Sequence, residues 1–288
     1  MSGDGGDPTH LYKYRSLEGD ARERTRRIIA DNALWFSPPA DFNDPFDCSP
    51  VLSMQASEAV TRQYLKTLFR EKAEGMTRVQ RRALLSDIRH DPGRRPASPR
   101  FIANLREATA RSVNQAGILS LSARPDHVLM WSHYAASHTG ICLRFNRAQW
   151  AFPFRAAQKV IYSAQRPVLN PITDDADAQV NKAILTKADV WAYEEEWRVM
   201  SHPGGVLDPV GGRGLVSYEP RALDGIILGA RTSDTDAAEV ARWVEGREYP
   251  VEILRARPNA DRFQIDIVQM DAPTDDSRSI QISGLRKR

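Results

Sequence analysis

Three consecutive glutamates follow an aromatic stretch in WAYEEEWR, residues 191–198. The segment is predicted as a strand, on which alternate side chains share a face, so Glu194 and Glu196 lie side by side with Ala192 and Arg198. Neighbouring carboxylates repel one another, and proteins keep such pairs where one must be held ionised or protonated. The alternative is a solvent-exposed edge on which Arg198 neutralises its neighbours. The residues alone leave both interpretations open.

Two cations share one face of the first predicted strand, LYKYRSL, residues 11–17. Lys13 and Arg15 are two residues apart, so both lie on the same side as Leu11. Either the two cations face water, or Arg15 faces a cleft that holds an anion. In such a cleft an arginine can clamp phosphate oxygens through paired hydrogen bonds.

The acidic segment FNDPFD, residues 42–47, is compatible with two roles. Asn43 and Asp44 precede a proline, a pattern typical of turns in which the side chain accepts backbone hydrogen bonds. Alternatively, Asp44 and Asp47 join Glu194 and Glu196 as oxygen ligands of Mg²⁺.

Two histidines lie in LMWSHYAASHTG, residues 129–140. His133 and His138 are five residues apart, about 140° around a helix, so they do not form the one-face pair of an HExxH zinc site. Cys142 lacks a CxxC partner. The histidines and the cysteine therefore predict no zinc site. A neutral His133 packed beside Trp131 is the structural interpretation of this segment.

The composition is that of an ordinary globular protein. The chain has 288 residues, of which 41% are hydrophobic and 27% charged, and a formal net charge of +3. Two cysteines cannot form a disulfide framework, no apolar run approaches the ~20 residues of a membrane helix, and no secretory signal is visible. These features predict a cytoplasmic protein without a membrane partner.

The pattern of strands and helices predicts one α+β domain over residues 1–288, with a mixed or antiparallel central sheet. Flexible ends are predicted at 1–9 and 272–288. Strands are predicted at 11–15, 34–37, 118–122, 141–145 and 196–200 in one central sheet or two packed sheets. A helical insertion is predicted at about 55–112, and a further helix at about 180–193.

The helical block is locally basic. Residues 70–111 contain eleven Arg or Lys and five Asp or Glu. Such a stretch could follow a phosphate backbone, or it could be a solvated helical hairpin.

Four blocks of the sequence resemble the bacterial family with domain of unknown function 2971 (DUF2971). They are LYKYRS, LWFSPPADFNDPFD, MWSHYAASHTGICLRF and KADVWAYEEEWR, which together span roughly residues 11–200. The family name carries no activity.

The order of features is also similar to that of the ADP-ribosyltransferase fold. Those enzymes carry an Arg or His on the first strand, a Ser or Tyr on a middle strand, and a catalytic Glu on a later strand, often within Glu-x-Glu. The resemblance assigns these places to Arg15, to Ser120 or Ser122, and to Glu196. It implies a split central sheet and NAD as the substrate.

Under this resemblance Glu196, with Glu194 beside it, stabilises the positive charge that develops on ribose when the nicotinamide bond breaks. Arg15 clamps the diphosphate, and a serine hydroxyl holds the carboxylate. The aromatic side chains expected to stack on nicotinamide or adenine are Tyr14, Trp131 and Tyr134. His133 is expected in the same cleft.

Three functions follow as hypotheses. The first is an NAD-consuming enzyme, an ADP-ribosyltransferase or NAD glycohydrolase, with a nucleic-acid or protein acceptor. The second is a metal-dependent nuclease or phosphodiesterase built on the acidic residues and the basic stretch. The third is a non-enzymatic module that binds nucleic acid or protein.

Overall fold

The computed structural model describes residues 6–90, 98–201 and 214–270. The strands are β1 His10–Arg15, β2 Ala33–Phe36, β3 Val51–Leu52, β4 Gly117–Ser122, β5 Ile141–Asn146, β6 Gln158–Lys159, β7 Ile161–Ser163, β8 Val168–Leu169, β9 Thr186–Ala188, β10 Glu196–Ser201, β11 Gly214–Ser217, β12 Leu223–Leu228, β13 Glu252–Pro258 and β14 Ile265–Gln269. The helices are α1 Gly19–Ala30, α2 Glu58–Ala73, α3 Arg78–His90, α4 Pro99–Gln115, α5 Val128–Tyr134, α6 Ala176–Ile184 and α7 Asp234–Glu245.

Eight strands form a central sheet in the order β14-β13-β12-β5-β1-β4-β10-β6. Strands β12 and β13 run parallel, and the other neighbours are antiparallel. The predicted α+β class with a mixed, largely antiparallel sheet is confirmed.

The predicted strand at 34–37 lies outside the central sheet. Strand β2 pairs with β11 in a separate two-stranded sheet and touches the central sheet through a bridge between Ser37 and Ile118. Strand β10 occupies one edge of β4, and on the other edge β1 pairs with Ser122 while the Ser37 bridge occupies Ile118.

The central sheet opens between β1 and β4. Strand β1 pairs with β5 along its whole length, and β4 pairs with β10 along its whole length. In contrast, β1 and β4 are joined at one position, Tyr12 opposite Ser122. Across the opening the Lys13 ammonium donates a hydrogen bond to the Ser120 carbonyl (3.0 Å). A side chain therefore reaches a backbone acceptor on the neighbouring strand.

The core lies on both faces of the sheet because successive strand residues point to opposite sides. On one face Leu11 and Leu143 pack with Ile28 of α1 and Val240 of α7. On the other face Tyr14, Cys142 and Ile227 pack with Met130 and Trp131 of α5. Ser233 is the N-cap of helix α7, and its hydroxyl accepts a hydrogen bond from the Asp236 amide.

Two predictions about the segment before β10 are wrong. Residues Asp189–Glu194 form a 3₁₀ helix, and Glu195 has φ 43°, so Glu194 does not lie on a strand. The helix predicted at 180–193 ends at Ile184 and is followed by β9, which carries Lys187. The left-handed conformation of Glu195 interrupts the alternation of side chains along a strand. The pattern of apolar and polar residues in the sequence does not indicate such a conformation.

Helices α2, α3 and α4 occupy the range in which the helical insertion was predicted. Of the predicted flexible ends, residues 1–5 and 272–288 lie outside the described residues, whereas Asp7 and Thr9 are tied to Arg147 by an ion pair and a backbone hydrogen bond. Among the described residues, no helix is both long and apolar enough to span a membrane.

Candidate active site

A cavity of about 510 Å³ lies at the opening between β1 and β4. Its volume is within the range of small-molecule sites, roughly 300–1,000 Å³. Residues from both faces of the sheet reach it because the two strands part there. The site residues that were predicted from the sequence and that line the cavity are Tyr14, Arg15, Ser120, Ser122, His133, Tyr134, Glu194 and Glu196. The roles assigned to them stay predictions.

Two buried glutamates share one lysine at the base of the cavity. The left-handed turn at Glu195 brings Glu194 next to Glu196, and each carboxylate is 3% exposed. The Lys187 ammonium donates to Glu194 Oε2 (2.5 Å) and to Glu196 Oε2 (3.0 Å). The carboxylates are therefore buried and not on a solvent-exposed edge.

Arg198 anchors Glu196 to the segment before the helical block. Its guanidinium is fully buried and donates from Nε to Glu196 Oε1 (2.8 Å). The two terminal nitrogens donate to the two oxygens of Asp47 at 2.9 and 2.6 Å. The Arg198 guanidinium and the Asp47 carboxylate thus form two parallel hydrogen bonds, a bidentate pair. Asp47 and Glu196, far apart in sequence, are thereby held on one buried cation.

The two glutamates have pKa values displaced in opposite directions. For Glu196, burial raises the pKa, but attraction to Arg198 and Lys187 outweighs burial and lowers the pKa to about 2. For Glu194, burial and the Glu196 charge together raise the pKa above its ordinary value against the opposing attraction of Lys187. In enzymes, two neighbouring carboxylates with different pKa values often have different roles. The one with the lower pKa stays ionised and stabilises charge, and the one with the higher pKa exchanges a proton. Glu196 and Glu194 fit these two roles.

The cluster of Asp47, Lys187, Glu194, Glu196 and Arg198 has three acidic and two basic members. It carries one net negative charge when Glu194 is ionised and none when Glu194 is protonated. In a buried site an unbalanced negative charge attracts a cation that develops in the cavity more strongly than it would in water. The cluster is therefore suited to stabilising a positively charged transition state.

Two serines of β4 fix the glutamate segment. The Ser120 side chain lies near the Glu196 carboxylate and contributes to lowering the pKa of Glu196. The Ser122 hydroxyl donates to the Glu194 carbonyl oxygen (2.6 Å) and accepts from the Arg124 amide (3.1 Å). Ser120 is thus a neighbour of the Glu196 carboxylate, whereas Ser122 holds the backbone of Glu194.

Arg15 and Lys13 form the opposite wall of the cavity. The Arg15 guanidinium donates from Nε to the Thr25 hydroxyl of α1 (3.2 Å). Burial and the nearby Arg24 lower the pKa of Arg15 to about 10, so it remains charged at neutral pH. Neither Lys13 nor Arg15 makes an ion pair with a carboxylate in the described ranges.

Tyr134 connects α5 to the glutamates, but Trp131 does not reach the cavity. The Tyr134 hydroxyl donates to Glu194 Oε1 (2.7 Å). Trp131 is fully buried, donates from Nε1 to the Pro125 carbonyl (2.8 Å) and packs against the Tyr14 ring. Its predicted stacking role is wrong for this conformation, because a buried indole offers no open face to a ligand.

His133 does not pack beside Trp131. It is exposed at the end of α5 and lines the cavity. The histidine that stacks on Trp131 is His138, with ring centroids 6.3 Å apart and an interplanar angle of 12°. Three consecutive residues with positive φ, Ala136 to His138, turn the chain back after α5 and bring His138 over the indole.

Asp44 has the predicted turn role. It accepts hydrogen bonds from the Phe46 amide (2.9 Å) and from Trp191 Nε1 (2.8 Å). Asp47, the other proposed Mg²⁺ ligand, is committed to Arg198. Among the residues described, no group of three or more His, Cys, Asp or Glu side chains is placed to hold a metal ion.

Three cavity residues were missed in the sequence. Lys187 lies in the segment ILTKADVW, which was predicted as part of a helix, and a lysine among apolar residues was the available signal. Lys13 was recognised as a strand cation but not as a site residue. Trp35 of β2 is 49% exposed and lines the cavity, so it presents the open indole face that Trp131 lacks.

Comparison with known proteins gives one match. Residues 130–199 match the family described as protein of unknown function (DUF2971). This segment contains two of the four resembling blocks and supplies Tyr134, Lys187, Glu194, Glu196 and Arg198, so the predicted resemblance is confirmed over this part of the chain. No curated protein and no solved structure matches the chain at a significant level.

Proposed function

We propose that this protein is an NAD-consuming enzyme, an ADP-ribosyltransferase or NAD glycohydrolase, that cleaves the bond between nicotinamide and ribose. One observation carries the proposal. A buried, ionised Glu196 and an Arg15 without a carboxylate partner among the described residues line one cavity, on strands that both neighbour β4. Ser120 of β4 lines the same cavity near the Glu196 carboxylate.

The bond-breaking step needs stabilisation of positive charge. When the C–N bond breaks, its electron pair leaves with nicotinamide, and positive charge develops on the ribose ring. Glu196 offers a fixed negative charge that does not have to reorganise, because Arg198 and Lys187 hold it in place by hydrogen bonds. Lys187 and Arg198 also keep Glu196 ionised, which preserves that charge at low pH.

The second half of the reaction needs a base. The attacking group, either water or a nucleophile of a nucleic-acid or protein acceptor, adds to the ribose carbon and loses a proton. Glu194 has a raised pKa and is fixed by Tyr134 and Lys187, so it is the group placed to take that proton. Exposed arginines of α3, among them Arg81 and Arg82, favour a nucleic-acid acceptor.

The rest of the cavity suits the remainder of a dinucleotide. Arg15 can donate paired hydrogen bonds to a diphosphate. Tyr12, Tyr14 and Trp35 contribute aromatic surface to the walls. Planar bases stack on such rings.

The direct test is to incubate the purified protein with NAD and to measure free nicotinamide. Parallel reactions with DNA, RNA or a protein mixture are analysed by intact mass for added ADP-ribose. We expect nicotinamide release, with mass addition if an acceptor is required. Absence of release under every condition would contradict the proposal.

Activity is expected to fall at low pH through Glu194. Because burial and Glu196 raise its pKa, Glu194 becomes protonated at a higher pH than an ordinary glutamate, and the cluster then loses its net negative charge. We expect the rate of nicotinamide release to decline as the pH falls. In Glu194→Gln this decline should disappear from the pH–rate profile, and the maximal rate should be lower than that of the parent. The pH–rate profiles of both proteins measure this. An unchanged acid limb in the variant would assign it to another group.

Arg15→Ala is expected to weaken NAD binding. Loss of charge-assisted hydrogen bonds to a diphosphate costs about 1.5–3 kcal/mol, roughly a 10- to 150-fold increase in Kd. The turnover rate at saturation should change much less, because Arg15 would bind the diphosphate equally in the bound substrate and in the transition state. Arg24→Ala, which removes an exposed neighbouring cation of α1, is the matched control. Equal effects of the two substitutions would indicate general electrostatic attraction only.

A further inference from the structure

Two cations that line the cavity make no ion pair with a carboxylate. Lys187 is paired with two glutamates, whereas Lys13 and Arg15 have no carboxylate within ion-pair distance in the described parts of the chain. Both side chains are half-buried, and withdrawing a cation from water without a directly paired counter-charge is unfavourable. Lys13 and Arg15 lie on one strand and line one cavity. Their positions therefore indicate that an anion binds to them in the cavity.

Lys13 differs from Arg15 in how its charge is held. Its ammonium lies in the opening of the sheet and donates to the Ser120 carbonyl (3.0 Å). Burial and the neighbouring Arg15 lower its pKa to about 7, and attraction to Glu196 opposes them in part. Lys13 is therefore partly uncharged at neutral pH in the empty site, whereas Arg15 is charged.

The other titratable groups that line the cavity come from five parts of the chain. The strand of Lys13 itself contributes Tyr12 and Tyr14. The segment after β2 contributes Asp41 and Asp47, and α5 contributes His133 and Tyr134. The remaining groups are Lys187 of β9, Glu194 just before β10 and Glu196 at the start of β10.

We propose that Lys13 and Arg15 together form a diphosphate subsite in which Lys13 takes up a proton as the anion enters. The choice of a diphosphate rests on the proposed function. The Ser120 carbonyl uses one of the three N–H groups of a charged Lys13 and leaves two for phosphate oxygens. An anion at this position favours the charged form of the amine, so binding and protonation reinforce one another.

The proposal fixes how proton uptake depends on pH. With a pKa of about 7 in the empty site, Lys13 is about one-tenth protonated at pH 8 and about nine-tenths protonated at pH 6. Binding should therefore take up about 0.9 proton per site at pH 8 and only about 0.1 at pH 6.

The experiment is calorimetric titration with ADP-ribose, whose diphosphate has no proton to exchange near neutral pH. Binding enthalpies are measured at pH 8 and pH 6 in buffers with different ionisation enthalpies, and the slope against buffer ionisation enthalpy gives the protons taken up. In Lys13→Arg, whose charge is permanent, we expect uptake at pH 8 to vanish and affinity at pH 8 to be kept or increased. Lys13→Met should bind at least tenfold more weakly at pH 6, and the exposed control Lys159→Met should behave as the parent.

Parent-like proton uptake by Lys13→Arg would overturn the proposal, because another group would then be gaining the proton. No uptake by the parent at pH 8, or no binding of ADP-ribose, would also overturn it. A purely structural role for Lys13 predicts altered thermal melting without a change in the buffer dependence. Nicotinamide release without proton uptake would refute the subsite alone, and proton uptake without release would refute the proposed reaction alone.

Discussion

Glu196→Gln is expected to slow nicotinamide release by roughly 100- to 1,000-fold. The substitution removes the charge that faces the developing ribose cation, and loss of one such electrostatic contact costs about 3–4 kcal/mol at the transition state. Affinity for ADP-ribose should change far less, because the ribose of ADP-ribose carries no positive charge. Release rates and calorimetric affinities of the two proteins measure this difference.

The neighbouring residue provides a matched control. Glu195 carries the same charge one position away, but its side chain is 46% exposed and pairs with Arg124 at the surface. Glu195→Gln should retain nearly full activity. If both substitutions had equal effects, or if Glu196→Gln kept full activity, Glu196 would have no part in the chemistry.

The Glu196 substitution also bears on stability. Glutamine is nearly isosteric with glutamate, but Glu196 accepts hydrogen bonds from Arg198 and Lys187 in a buried cluster. A neutral amide weakens both contacts. We therefore expect a lower melting temperature for this variant, and activity must be compared where both proteins are folded.

Arg198→Met is expected to destabilise the fold by about 3–5 kcal/mol. Removing this fully buried guanidinium leaves Asp47 and Glu196 as buried carboxylates without their main partner, and breaking a buried pair on one side typically costs this much. The loss is a large fraction of the ~5–15 kcal/mol that stabilises a typical domain. Urea unfolding, read by circular dichroism, gives the free energies of unfolding.

An arginine with several ionic contacts near the surface is the control. Arg26 pairs with Glu23 and Asp31, and all three side chains are at least one-third exposed. Exposed pairs contribute about 0–1 kcal/mol, so Arg26→Met should change stability little. If Arg198→Met were as mild as Arg26→Met, the buried cluster would not be a determinant of stability. Asp47→Asn provides a gentler variant if Arg198→Met does not fold.

Local patterns in the sequence were sufficient to predict part of the site. Lys13 and Arg15 alternate with tyrosines, and Ser120 alternates with leucines, so their strands β1 and β4 follow from period-two alternation. Strand β10 was predicted for the same reason. These strands lie next to one another in the sheet, and their polar residues therefore converge on one cavity.

Other parts of the site depend on tertiary structure that local patterns do not encode. Asp47 and Arg198 are 151 positions apart in the sequence, and no local sequence pattern predicts that they pair. Glu194 reaches Glu196 through a left-handed residue, not through strand geometry. Trp131 and Trp35 both lie in apolar segments, and only the packing of α5 and β2 decides which indole is buried and which is exposed at the cavity.

The most direct measurement for the proposed reaction is identification of the products formed from NAD. Chromatography with mass detection separates nicotinamide and ADP-ribose from nicotinamide mononucleotide and AMP. Cleavage at the ribose carbon predicts nicotinamide in stoichiometric amount with free or acceptor-linked ADP-ribose, with and without a chelator of divalent cations, and none with Glu196→Gln on the same time scale. Formation of AMP and nicotinamide mononucleotide, or recovery of intact NAD from every reaction, would contradict the proposed function.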